Sequence, residues 1–462
     1  MTHIPLYFQS ATELGRQIKA KKISSVELTE IYLKRLQSEG TRLNALAELT
    51  VDLARKQAKR ADVELAEGKI RSPLHGVPCG VKDLLATAGI PTRWGSPAHK
   101  DQIFDYDATV VTKLREAGAV LIGKLAMVEL AGGGGYDSPG ASITGAAKCP
   151  WNTAKWAGGS SGGWGAAVGA GAVGFAIGTE TWGSITVPAA FCGVSGLRPT
   201  YGRVSRHGAM ALSYTLDKIG PMARSAEDCG HILKAISGHD PQDPSSTERK
   251  FVFPSRRNGK PLRLGILPHD YANAPEARKL FDGVLELFRK AKHVFKEVDY
   301  PKDIPYGAAA GVIINAEGAS AFYNLIKSQK LELLADPFQQ AGFIATLSVP
   351  ATDYLHALRT RKIAIAALSK MWDEVDLLIA PTLLQIALPA DRGLSETWQN
   401  MGGNGGPGNL AGLPSISVPM GFGKEGCPLG LEIIGKPYDE ASVLALAMQF
   451  QRETDWHQRH PA

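Results

Sequence analysis

The chain contains one stretch in which residue types and spacing suggest chemistry. Between Lys155 and Arg198 the only charged side chain is Glu180, yet this apolar, glycine-filled run carries Ser160, Ser161, Thr179, Thr181, Ser184 and Thr186. Buried hydroxyls need hydrogen-bond partners or a job. A single Gly-Ser cluster is most often a tight loop, so specific spacings have to decide. A phosphate-binding loop starting at Gly158 would need Lys after Gly163, where Trp164 stands. Gly169-Ala-Gly-Ala-Val-Gly174 matches a dinucleotide-binding pattern but lacks the preceding strand and the later acidic residue. Neither Gly159-Ser-Ser-Gly-Gly nor Trp182-Gly-Ser-Ile-Thr fits a G-x-S-x-G elbow. What remains is a hydroxyl nucleophile activated by an amine, with Lys82 the one base of suitable type in an apolar frame.

These residues need elements to position them. Pro73–Lys82 reads as a short apolar strand bounded by Gly and Pro, ending on the charged pair Lys82-Asp83. Ser10-x-x-Glu13 and Ser24-x-x-Glu27 fit capping boxes opening N-terminal helices, the second placing Leu28, Ile31, Tyr32 and Leu36 near one face. Thr109–Ala117 reads as helix, Ala119–Gly123 as a buried strand, and Gly132–Gly135 as a flexible loop. The uncharged stretch Trp156–Thr179 reads as a buried core helix, being too glycine-rich to favour lipid. After a Pro-, Ser- and charge-rich surface connection come a strand at Leu262–Leu267, helices from Gly307 to Trp372, a strand at Val375–Ala380, a glycine loop at Gly402–Gly408 and a strand around Leu429–Ile434. This is α/β texture without internal repeats.

Gly158-Gly-Ser160-Ser161-Gly-Gly, followed by Ser184 within Thr179–Gly193, resembles the signature stretch of the amidase signature family. Pro73–Gly89, Gly196–Gly202, Asn409–Gly421 and Pro428–Leu431 are similar to further segments of that family, so the resemblance spans most of residues 10–450. It implies a single large α/β domain, a mixed twisted sheet flanked by helices. The N-terminal helices would occupy 1–72, the signature core 73–236, a surface connection 237–261 and the C-terminal half 262–462, with helices at 307–372 covering the pocket. It also implies a Ser-cisSer-Lys triad: Ser184 as nucleophile, Ser160, with a cis peptide bond, as proton relay, and Lys82 as base. Lys82 must start neutral, which burial without a nearby carboxylate would achieve. Backbone N–H groups of Thr181, Trp182, Gly183 and Ser184 would hold the oxyanion, and no metal or organic cofactor would take part.

The family usually reads Thr-Asp-x-Gly-Gly-Ser-Ile-Arg where this chain has Glu180, Trp182 and Thr186. Losing the arginine removes a carboxylate clamp, and an indole adds apolar bulk. Gly132, Gly133, Tyr136, Trp182 and Thr186 are therefore the candidate substrate-binding residues. The expected activity is hydrolysis of neutral, aromatic or apolar amides, with esters and carbamates as further substrates, as in aryl-acylamidase or urethanase members. The alternatives are the A subunit of a glutamyl-tRNA amidotransferase, or a non-catalytic relative whose Trp182 blocks the oxyanion turn.

Composition narrows partners and setting. The 462 residues carry 51 Lys+Arg against 45 Asp+Glu and are 44% hydrophobic, which excludes disordered, collagen-like and coiled-coil classes. Arg249–Lys302 holds thirteen Lys/Arg against six Asp/Glu, so the positive excess is local and calls for neither nucleic acid nor membrane. Five scattered cysteines without a C-x-x-C, and a start without basic and long apolar regions, indicate a reduced, cytoplasmic setting. His457 and His460 form an H-x-x-H pair that reads as solvated rather than metal-binding. A homodimer acting on a small molecule completes the expectation.

Overall fold

The computed structural model describes residues 4–254, 261–399 and 401–462. One sheet organises them. Its strands are β1 (Leu46–Leu49), β2 (Pro78–Lys82), β3 (Val120–Leu125), β4 (Phe175–Glu180), β5 (Ser195–Arg198), β6 (Lys218–Ala223), β7 (Arg263–Ile266), β8 (Val294–Glu297), β9 (Leu377–Pro381), β10 (Ser415–Phe422) and β11 (Pro428–Ile434). They lie in the order β1-β3-β2-β4-β6-β5-β10-β11-β9-β7-β8. The pairs β2–β3, β2–β4, β7–β8 and β7–β9 are parallel, and the remaining pairs are antiparallel. The chain is thus a single α/β domain built on a mixed sheet. The central strands β2 to β6 and β9 to β11 are buried almost throughout, as strands covered on both faces must be.

Local signals explain several elements. Ser24 and Glu27 cap the helix Ser25–Arg35 reciprocally, whereas Ser10 caps Ala11–Lys19 from one side only, because the Glu13 carboxylate turns to Arg16 instead. Leu28, Tyr32, Leu33 and Leu36 are buried, while Ile31 is half-buried.

Two readings need correction. Trp156–Thr179 is not one helix: it forms a turn, the helix Gly162–Gly169 and then β4. Seven of the eighteen residues from Gly162 to Thr179 are glycine, too many to sustain a longer helix, because glycine loses the most backbone entropy on ordering. Tight packing at Gly163, where an added Cβ would meet Ala126 O at 2.6 Å, shows why the glycines are needed. The loop at 402–408 becomes helical at Gly405–Leu410. The surface connection is pinned where it is described. Asp240 accepts from Ser205 and Thr109, Asp243 accepts from the Arg206 N–H, and Phe253 is buried; residues 255–260 lie outside the described residues.

Among the described residues no helix is long and apolar enough to cross a membrane, and no group of three or more His, Cys, Asp or Glu could hold a metal ion. His460 stacks on Phe8, with ring centroids 4.1 Å apart.

Candidate active site

Lys82 ends β2, which lies between β3 and β4. Ser160 sits before the helix Gly162–Gly169, and the peptide bond from Gly159 to Ser160 is cis. Ser184 occupies the turn that joins β4 to the helix Thr186–Cys192. Gly183 makes that turn at φ 80°, in the left-handed region that favours glycine.

The three side chains form one continuous hydrogen-bonded row. Lys82 Nζ donates to Ser160 Oγ at 2.8 Å and to Thr179 Oγ1 at 3.0 Å, and Ser160 Oγ donates to Ser184 Oγ at 3.0 Å. Lys82 is fully buried, Ser160 nearly so, and Ser184 opens at the surface of a cavity. Burial pushes the Lys82 ammonium down to about 7, overriding the opposing pull of the Asp217 and Glu180 carboxylates. The sequence-based expectation of burial without a nearby carboxylate is therefore corrected: two acids are close, and desolvation outweighs both.

Glu180 organises the turn that carries Ser184. Its Oε2 accepts from the N–H groups of Ile185 at 2.9 Å and Thr186 at 3.0 Å, meeting donors that the first turn of a helix would otherwise leave unpaired. Its Oε1 accepts from Arg198 Nη1 at 2.7 Å and Asn409 Nδ2 at 2.9 Å. Burial by itself would raise this carboxyl, but Arg198, Lys218 and Asn409 together hold it at about 2. Thr181 Oγ1 donates to Asp217 Oδ1 at 2.6 Å, and Asp217 Oδ2 accepts the N–H groups of Leu212 and Ser213, tying the other end of the turn to the chain before β6.

Ser184 faces a cavity of about 530 Å³ that also touches Gly132, Tyr136, Thr181, Trp182 and Thr186. This is the size range of small-molecule sites. Gly132, at φ 88°, lies beneath the Tyr136 ring. Tyr136, Trp156 and Trp398 form an edge-to-face row, with centroids 6.3 and 6.5 Å apart. Trp182 is 41% exposed. Its indole leans on the glycine segment, where a Cβ on Gly405 would come within 2.5 Å of it. Gly133 is not part of the cavity; an added Cβ there would meet Phe343 and Phe322, and its carbonyl accepts from Gln339.

Several site residues escaped the sequence reading: Thr179 as a partner of Lys82, Asp217, Arg198 and Asn409 around the turn, and Asn404 and Glu432 in the cavity wall. The loop Met401–Gly408 is a candidate pocket wall from the sequence, without Asn404 being singled out in it, and Gly402, Gly403 and Asn404 do line the cavity.

A sequence model of the Amidase family matches residues 27–444. The chain belongs to the amidase family. It is 36% identical to the A subunit of the glutamyl-tRNA(Gln) amidotransferase of Thioalkalivibrio sulfidiphilus over 491 residues, covering 99% of both chains. Among solved structures, the native peptide amidase of Stenotrophomonas maltophilia superposes with a TM-score of 0.86 at 30% identity, covering 98% of each chain. A bacterial aryl acylamidase of the amidase signature enzymes superposes at 0.85 and 26% identity, again over 98% of each. The sheet and helices described above are thus those of amidase signature structures.

Proposed function

We propose that this member of the amidase family hydrolyses carboxylic amides of neutral, aromatic or apolar substrates through a Ser184 acyl-enzyme, with esters and carbamates as further substrates. The observation that carries the reading is the buried row Lys82–Ser160–Ser184, opening on an aromatic-walled cavity. With Lys82 neutral, the two hydroxyls reverse their hydrogen bonds, so that Ser184 donates to Ser160 and Ser160 donates to Lys82. Attack of Ser184 Oγ on the carbonyl carbon passes one proton to Ser160 and one from Ser160 to Lys82. The carbonyl oxygen becomes an oxyanion. Glu180 already occupies the Ile185 and Thr186 N–H groups, which leaves those of Thr181, Trp182, Gly183 and Ser184 as the donors for it. The proton on Lys82 returns through Ser160 to the leaving amine, and water then clears the ester by the same route.

A second reading, the A subunit of an amidotransferase, rests on curated relatives of that name at about a third identity. The Trp182 indole and the glycines beside it favour stand-alone action on apolar substrates, as does likeness to the peptide amidase and aryl acylamidase structures. The Trp182 indole rests against Gly405 and Gly406 while Ser184 still lines the cavity, which argues against a blocked, non-catalytic turn.

The purified chain alone, given an anilide and a p-nitrophenyl ester, is expected to hydrolyse both. Ser184→Ala should abolish turnover and labelling by a fluorophosphonate probe. Full labelling of that variant would refute the assignment, and activity only with added partner proteins would favour the amidotransferase reading. Trp182→Gly should cost aryl substrates roughly 1–3 kcal/mol in kcat/KM while short aliphatic amides hold level or gain. Equal losses on both would remove the case for aromatic substrates.

A further inference from the structure

The cysteines are far apart in sequence, but the fold gathers three of them, Cys149, Cys192 and Cys427, away from the Lys82–Ser160–Ser184 row. Cys149 opens the segment 149–155, Cys192 ends the helix that follows Ser184, and Cys427 immediately precedes β11. Segments 149–155 and 422–428 lie side by side. The Trp151 and Phe422 rings are 4.5 Å apart, and Asn152 Nδ2 and Lys155 Nζ reach the Glu425 carboxylate at 3.2 and 3.1 Å. Both segments also rest on residues 191–193. The Cys149 thiol donates to the Phe191 carbonyl at 3.2 Å, the Trp151 indole donates to the Cys192 carbonyl at 2.9 Å, and a Cβ on Gly193 would lie 3.2 Å from the Pro428 ring.

In this seam the Cys149 and Cys427 thiols are in hydrogen-bond contact, and their surroundings differ. Cys427 lies directly behind the exposed turn Lys424–Gly426, with its thiol 3.8 Å from the Glu425 carbonyl. The hydrogen bond from Cys149, helped by the Lys155 charge, holds the Cys427 thiol below its ordinary range against burial and Glu425. Burial pushes Cys149 and Cys192 up, and the Cys192 thiol has its own acceptor, the Ala157 carbonyl at 3.5 Å. A buried cysteine that only fills space behaves as a small hydrophobe. Here one sulfur favours the nucleophilic thiolate while its neighbour holds a proton, which is how an attacking and a resolving thiol divide their work.

We infer that Cys427 and Cys149 are an oxidant-sensitive pair that closes to a disulfide when the protein meets hydrogen peroxide. The Cys427 sulfur attacks one peroxide oxygen, the O–O bond breaks, and the departing hydroxide takes the thiol proton as water, leaving a sulfenic acid on Cys427. The Cys149 sulfur then attacks the Cys427 sulfur. The S–S bond forms, the S–O bond breaks, and the hydroxyl leaves as water with the Cys149 proton. Two thiols and one peroxide thus give one disulfide and two waters.

The test uses the full chain, reduced, treated with hydrogen peroxide, quenched with catalase, alkylated with N-ethylmaleimide in denaturant and digested with trypsin without reduction. Cleavage after Lys and Arg, except before Pro, leaves the three cysteines on separate peptides, 149–155, 156–203 and 425–452. Mass spectrometry should show 149–155 joined to 425–452, with Cys149 and Cys427 losing alkylation together and regaining it after dithiothreitol. Cys149→Ser keeps a hydroxyl donor beside Cys427 but removes the resolving sulfur, so dimedone should trap the Cys427 sulfenic acid. In Cys427→Ser, Cys149 should remain alkylatable after peroxide.

A wild-type map in which these two peptides stay separate, or in which either joins 156–203 instead, would overturn the inference. Oxidation of Cys149 in Cys427→Ser, or no dimedone adduct on Cys427 in Cys149→Ser, would overturn the order of attack. Should either variant misfold, the wild-type map decides by itself.

Discussion

Two buried lysines end neighbouring parallel strands, and their surroundings give them opposite roles. Lys82 on β2 is held by two hydroxyls, Ser160 and Thr179. Lys124 on β3 pairs in register with Val81, one residue away, and is equally buried. It donates to the Leu85 carbonyl and Thr92 Oγ1, both at 2.6 Å, and has the Asp83 carboxylate at 3.8 Å. Burial lowers both ammonium groups, but at Lys124 the adjacent Asp83 is the chief opposing influence. A buried amine set among neutral hydroxyls can give up and regain its proton during a reaction. One set between a carbonyl and a carboxylate is a cross-link, and breaking it would leave Asp83 buried without its cation.

The largest test of this contrast is activity. Lys82→Met should reduce amide turnover by roughly a thousandfold or more at neutral pH, while Lys124→Met should leave turnover per folded molecule within a few-fold of wild type. Single-turnover rates on an anilide check both, and comparable losses would erase the distinction.

The next effect is on stability. Lys124→Met should destabilise the fold by about 3–5 kcal/mol, the cost of removing one partner of a buried pair. Lys82→Met should be no less stable than wild type at pH 7. The native Lys82 titrates at about 7, below its ordinary value of 10.5, so between these values the folded chain binds fewer protons than the unfolded one. Stability from this group therefore rises with pH across that window and is lowest below it, and methionine removes the penalty. Urea melts of the two variants at pH 7 measure the difference, and a strongly destabilised Lys82→Met would contradict it.

The smallest effect is the pH dependence of the wild type. Because the neutral amine is the base, kcat/KM should fall about tenfold per unit once pH drops below about 7. A flat profile from pH 5 to 9 would place the base elsewhere.

Much of the site was legible because its chemistry is local in sequence. Gly158–Gly163, Ser184 and the strand ending at Lys82 stand out by residue type in an apolar frame, and the resemblance gave their roles. The supporting shell was not legible, since the partners of Glu180 lie 18 and 229 residues away at Arg198 and Asn409. Gly133 misled for the complementary reason: it belongs to a visible glycine run, but the chain turns it towards Phe322 and Phe343.

By itself the local sequence determined the α/β texture, an amine-activated hydroxyl with Lys82 as its base and the aromatic character introduced by Trp182, because strand runs, glycine turns and hydroxyl placement act over a few residues, while the single mixed sheet and the roles of Ser160 and Ser184 came from the family resemblance. It could not say that the adjacent pair Lys82-Asp83 divides. Lys82 is the last residue of β2 and meets Ser160 and Thr179, while Asp83, in the turn that follows, meets Lys124. Nor could it place Glu432 in the cavity wall with one oxygen committed to Asn404, 28 residues away. Those outcomes depend on which strands become neighbours in the sheet, and only the packed tertiary structure decides that, since the energy of a buried charge is set by whatever surrounds it and not by its neighbours along the chain.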